Sequence, residues 1–406
     1  MNVIFVEPSF PSYQREFARA LSAVGATVIG IGERPKDWLD QEVAGWLTHY
    51  EQVRSVVDVD ALEAAVRGVQ QAVEVNRLEA TIEAHVEAAA QVRERCGIPG
   101  TSVRTAYLCR DKPAMKEALR QIGVPTAQSA GADSAEELFG FAHAVGYPLI
   151  IKPRSAAGAS GTVRVHSDDE LAAAIPGLGF HWGQSVAVEE FIEGHEGFYD
   201  TISIDGQPAH EFISHYYPNV LEAMRTRWIS PVFITTNRMD APGYDIVKAL
   251  GRQVIPALGI DTSATHMEWF YGPKGLKFSE IACRPPGVGA WDLYCAANDL
   301  DVYQEWAMAV CWGKVSRPAS RRYSAGIIAL RPDRDGTITG YEGMGEVQQR
   351  YGRFIIDYHL PPPGTGTQPV EAGYMANAWI RMKHEDYDEL RNILNHVGGV
   401  VQVRAN

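Results

Sequence analysis

The sequence predicts a mixed α/β and α+β protein, with an N-terminal parallel βαβ domain, a central α+β region around a cleft and a C-terminal α+β lobe. Three observations predict it. Residues 2–6 (NVIFV) and 26–32 (ATVIGIG) are short apolar runs separated by helical periodicity from Tyr13 to Val24. That is a β-α-β unit, which implies a parallel sheet with a right-handed crossover. From 111 to 175 helices and strands alternate, and from 186 onward the pattern is mostly strands.

At 406 residues the chain exceeds one ordinary core and suits several packed units around a cleft. Hydrophobic residues make up 46% and charged residues 21%, so the chain is expected to fold throughout. The formal charge of −13 argues against nucleic acid or an anionic membrane as a partner. Any anionic ligand must then be held by a local cluster of Lys and Arg. Cys96, Cys109, Cys283, Cys295 and Cys311 are scattered, without CxxC spacing, and fit reduced thiols. No apolar run approaches the roughly 18 residues of a membrane span. A cytoplasmic protein is expected, with a homodimer left open.

In chain order, the first turn (EPSFPSYQ) lacks GxGxxG, which disfavours a dinucleotide site. The stretch LEATIEAHVEAAAQVRERCG reads as helix stopping at Gly97. Residues 111–122 form a helix with Pro113 in its first turn, and 134–145 form another capped by Ser134. YPLIIKP (147–153) is a strand, 155–161 a small-residue loop and TVRV the next strand; Ser167 and Glu170 open a helix over 167–175 with a capping box. The segments 265–271 and 276–282 flank GPKG as a hairpin, 299–312 is helical, and 323–406 alternates strands with loops. The division expected is 1–110, 111–325 and 326–406, the last packing over the core as a separate lobe.

Three constellations carry chemistry. Lys152 ends a strand and is followed by Ser155, Gly158, Ser160 and Gly161 among other small residues, which let backbone N–H groups approach a phosphate. Lys112 can add a second charge; the same residues would also make a flexible hairpin with a surface lysine. Glu189, Glu190, Phe191 and Ile192 run from a strand into the Gly194 turn and Glu196. An acid there suits ribose hydroxyls and the 190–192 backbone an adenine edge, or the segment is a solvated acidic turn. Glu268 and Glu280 can meet across the hairpin, with Arg284 just beyond. Such a pair suits Mg²⁺ and the arginine a transferring phosphoryl group, unless the hairpin simply faces solvent.

Lysine, lysine with small-residue loop, acidic hinge, then paired acids with arginine resembles the ATP-grasp superfamily over about residues 100–300. The resemblance implies two lobes clamping ATP, with 126–192 as the mobile one. It implies phosphate contacts from Lys112 and Lys152, a closing loop at Ser155 to Gly161, an adenine hinge at Glu189 to Ile192 and ribose binding by Glu196. Glu268 and Glu280 resemble the magnesium carboxylates and Arg284 the arginine near the transferred phosphate. ATP and Mg²⁺ are the implied cofactors, and small-molecule carboxylate and amine substrates the implied partners. The common ending E-x-N-x-R is here E-I-A-C-R, so Ala282 stands where an asparagine usually binds a second metal. L-amino-acid ligases tolerate a small residue there. The reaction implied is ADP-forming carbon–nitrogen ligation through an acyl phosphate, with a biotin-carboxylase-like activity or a silent nucleotide-binding module as alternatives. Candidate walls of the acceptor pocket are His215, Tyr216, Arg225, Trp228, Trp291 and the Pro285 to Gly289 loop.

Overall fold

The computed structural model describes residues 1–154, 161–370 and 375–406. β1 (Asn2–Val6), β2 (Thr27–Gly32), β3 (His49–Gln52) and β4 (Arg77–Glu79) form a parallel sheet in the order β3-β2-β1-β4. The helix Gln14–Ala23 is the expected crossover, and buries Phe17 and Leu21. β4 corrects the helical reading of LEATIEAH: Leu78 pairs with Ile4 and is fully buried, so sheet pairing overrides the helical propensity until Glu83. The helix Glu83–Cys96 then ends at Gly97, which takes the left-handed conformation expected of a stop.

The second sheet holds β5 (Ser129–Ala132), β6 (Leu149–Pro153), β7 (Val163–Val165) and β8 (Val186–Glu190) in the order β5-β8-β6-β7. Its covering helices start where their caps predict. The Ser134 and Ser167 hydroxyls accept the N–H groups of Glu137 and Glu170, each at 3.2 Å. Leu138, Leu149, Leu171 and Val188 close a small core of its own.

β9 (His195–Ile204), β10 (Gln207–Tyr217), β11 (Val232–Thr235), β12 (Ser263–Gly272), β13 (Gly275–Ala282), β14 (Ser324–Leu330), β15 (Ile338–Glu342), β16 (Ile355–His359), β17 (Ala378–His384) and β18 (Gln402–Ala405) complete the strands. Eight of them form one antiparallel sheet in the order β13-β12-β9-β10-β11-β14-β17-β16, while β15 and β18 pair apart. The C-terminal tail is therefore not a separate lobe, because β14 is hydrogen-bonded directly to β11. Nor is it only strands and loops. The helix Tyr387–Val400 buries Leu390, Ile393, Leu394 and Val397 against this sheet, a 3.6-residue stripe that its terminal Gly-Gly pair disguises.

The helical segment read at 299–312 is the helix Val302–Trp312, and a further helix, Ala290–Asn298, precedes it. They dock the N-terminal unit on the large sheet. The Phe17 ring packs against Trp291, Tyr303 and Trp306 at centroid separations of 5.3, 5.0 and 5.1 Å.

Candidate active site

The site grows from the register of three adjacent strands. β12 pairs with β13 so that Glu268 faces Glu280 and His266 faces Ala282. On the other side of β12, the same two residues face Phe198 and Asp200 of β9. Side chains two apart share a face, so Glu196, Asp200, His266, Glu268 and Glu280 project together. A register irregularity after Glu268 lets Trp269 pair with Phe278 in the core behind them.

Positive charge arrives from two other elements. The helix Lys112–Arg120 is capped by Asp111 and points Lys112 at Glu280, Nζ to Oε2 being 3.2 Å. Burial works against the Glu280 charge, but Lys112 and Lys152 outweigh it and hold the carboxyl below its usual range. Lys152, at the end of β6, lies 3.0 Å from Glu189 Oε1 on β8. Lys116, one helical turn after Lys112 and fully buried, lies 2.6 Å from the same oxygen. Against the cost of burial, the two ammonium groups hold Glu189 down to about 2.

Glu196 is the contrasting acid. Its Oε2 accepts the Val220 N–H at 2.7 Å, and its own N–H donates to Asn219 Oδ1. Burial, then repulsion from Glu268 and Glu280, pushes it up to about 8. The turn before it requires glycine: Gly194 has φ +153°, and a Cβ there would lie 2.5 Å from the Tyr271 carbonyl oxygen.

The remaining hinge residues are engaged. Glu190 accepts the Gln128 N–H and meets Lys274 of the hairpin turn at 2.6 Å. Phe191 lies under the Arg164 guanidinium at 3.6 Å, and Ile192 is buried. The N–H groups of Glu190 and Phe191 already donate to the carbonyls of Gln128 and Pro148, which corrects the expectation of an open edge for those two donors. Gly161 takes φ +69°, while Ser155, Gly158 and Ser160 lie outside the described residues.

Arg284 leaves β13 towards a cavity of about 210 Å³ lined by Tyr13, Glu83, Trp291 and the Pro285 to Gly289 loop. Its Nε donates to Glu83 Oε2 at 2.7 Å. A smaller recess joins Arg284 to Lys112, His266, Glu280 and Ala282. Of the acceptor-pocket candidates, Trp291 and 285–289 line the cavity. The other four do not. His215 is buried between His195 and Tyr244, Tyr216 belongs to the core, Trp228 is exposed, and Arg225 lies on the surface reaching the Thr162 carbonyl.

Sequence reasoning missed Lys116, Glu83 and a buried chain behind the acids. Asp200 accepts from His266 Nδ1 at 2.7 Å and from the Tyr294 hydroxyl, and His266 Nε2 is 3.6 Å from Glu268 Oε1. Lys116 had a signal, the four-residue spacing from Lys112; Glu83 had none beyond an acidic run. Among the described residues, no three His, Cys, Asp or Glu side chains are grouped to hold a metal by themselves. Two facing carboxylates, beside a third that burial and then their repulsion push up, nevertheless fit a divalent cation shared with ligand phosphates.

Residues 111–196 match the family described as carbamoyl-phosphate synthase L chain, ATP binding domain. The chain carries an ATP-grasp domain. Its relatives include an L-arginine-specific L-amino acid ligase of Bacillus subtilis, 28% identical over 250 residues, which are 60% of this chain and 60% of that protein. A formate-dependent phosphoribosylglycinamide formyltransferase of Synechococcus elongatus is 26% identical over 68% of each chain. Among solved structures, an L-amino acid ligase from Bacillus licheniformis superposes with a TM-score of 0.76 at 18% identity, covering 100% of this chain and 98% of that one. The fold of that ligase is thus shared over the whole chain. Among the described residues, no helix is long and apolar enough to cross a membrane.

Proposed function

We propose that the chain is an ATP- and Mg²⁺-dependent ligase that activates a carboxylate as an acyl phosphate and joins it to an amine, with amino acids or peptide-like molecules as substrates. The observation that carries this reading is the pairing of Glu268 with Glu280 across β12 and β13, with Lys112 on Glu280 and Arg284 four residues beyond. Residues 111–325 hold the nucleotide and metal residues, with 126–192 as the lobe that closes over the nucleotide; 1–110 supplies Glu83 to the adjoining cavity, and 326–406 flanks the site. Five free thiols suit a cytoplasmic enzyme.

Lys112 and Lys152 bind the phosphates, Glu196 the ribose, and the 189–192 segment the adenine, through groups other than the Glu190 and Phe191 N–H donors already taken. Mg²⁺ held by Glu268 and Glu280 would neutralise charge on the phosphates. The donor carboxylate sits in the cavity beside Arg284 and Glu83, and one of its oxygens attacks the γ-phosphorus as ADP leaves. Arg284 stabilises the charge that develops there. The amine then attacks the acyl carbon and phosphate departs, with closure of the 126–192 lobe excluding water.

ADP and phosphate release against a panel of amino acids tests this. Release that requires two amino acids supports the ligase. Release that depends on bicarbonate and biotin replaces it with a carboxylase, and nucleotide binding without release under any condition sinks both enzymes.

A further inference from the structure

Lys116 has no part in the mechanism above, yet it is the most deeply buried cation at the site, with no exposed surface. Lysines are almost never fully buried without a partner. Its partner is Glu189 Oε1, the same oxygen that Lys152 contacts. Two ammonium groups meet one carboxylate oxygen, so Glu189 can balance only one of them, and the geometry says which is left available. Lys116 is enclosed on the helix Lys112–Arg120, whereas Lys152 retains 13% exposure at the end of β6.

We propose that Lys116 is a positioning residue for nucleotide binding, occupying the Glu189 carboxylate so that the Lys152 ammonium stays available to a phosphate. This rests on the ATP reading of the site. Without Lys116, Lys152 and Glu189 would close into a neutral pair, and a phosphate would have to break it before gaining any attraction. Burial draws Lys116 down to about 8, which still leaves it charged at neutral pH. On Lys152 burial is outweighed by Glu189 and Glu280 acting together, so it stays charged.

Calorimetric titration of the full chain with ATP and with AMP tests the proposal. Lys116→Met should weaken ATP about tenfold or more and leave AMP within about twofold, because AMP lacks the outer phosphates. In turnover the ATP KM should rise while kcat at saturation stays within about threefold. Lys116→Arg keeps the charge and should retain most of the affinity, and adding Glu189→Gln to Lys116→Met should recover part of the loss by removing the carboxylate that captures Lys152. Equal losses for ATP and AMP would mean damage to the fold and overturn the proposal. Unchanged ATP affinity in Lys116→Met, or no recovery in the double variant, would overturn it too. A wild-type chain that binds no ATP would instead overturn the ATP reading.

Discussion

His266 stands directly across the β12 and β13 ladder from Ala282, beside the facing pair Glu268 and Glu280. Directly opposed residues bring their Cβ atoms within about 4.5–5.5 Å, so the methyl of Ala282 leaves the imidazole, anchored by Asp200, as the polar group at that corner. Ala282→Asn would place a carboxamide oxygen there. Bound Mn²⁺ per chain, counted by electron paramagnetic resonance with a non-hydrolysable ATP analogue, should rise from about one to about two. An unchanged count would show that position 282 does not limit metal binding.

Glu280→Gln should lower turnover by about 100-fold or more, because the amide keeps the shape and loses the charge that a cation needs. Glu280 is one of several carboxylates among three lysines, so the melting temperature should fall by only a few degrees. ADP release and a thermal melt on the same preparation check both halves. Near-normal turnover would remove Glu280 from the metal site.

Most of what recurs in sequence order was legible, and most of what depends on distance in the chain was not. GPKG with apolar alternation on both sides marked the hairpin and its turn, but the turn alone would set Glu268 opposite Ser279, and the irregularity after Glu268 that brings Glu280 opposite it left no local signal. Lys152 followed from a strand ending in a run of small residues. Glu83 is different: it reaches Arg284 across 201 residues of chain, and nothing local marks it among its acidic neighbours. Asp200 likewise reads as one polar residue in an alternating strand, and only the packing of Tyr294 against β9 shows that it is fully buried. The tail was misjudged because β14 looks like any apolar strand, and sheet membership is set by its partner β11.

Glu196 ties stability to pH. Burial, then repulsion by Glu268 and Glu280, raises its folded value from 4.5 to about 8. Between those values the unfolded chain has already released this proton and the folded chain has not. The contribution is therefore fully present below about 4.5 and is lost as pH rises through about 8. Without nucleotide or metal, Glu196→Gln should flatten this part of the profile and be more stable than wild type at pH about 8.5, by a few kcal/mol at most. Denaturant melts at pH about 6 and about 8.5 measure it. The same variant should bind ATP more weakly; a wild-type pH profile would remove the charge crowding.

Arg284 divides its guanidinium between Glu83 and the Pro285 carbonyl at the mouth of the larger cavity, each contact being 2.7 Å. Glu83 therefore fixes the direction in which the remaining N–H groups point, and Lys in place of Arg could not satisfy both contacts and a ligand carboxylate together. Arg284→Lys should lower kcat/KM for the carboxylate substrate by about 100-fold, close to the loss when one preorganised donor to a developing charge is removed. Glu83→Gln keeps an acceptor for Nε but loses the ion pair, and should cost less, about tenfold. The ATP KM should move little in either variant, since the nucleotide lysines belong to other elements. Steady-state kinetics with each substrate varied in turn separate these effects. An Arg284→Lys variant that raised only the ATP KM would move the arginine from the carboxylate to the nucleotide.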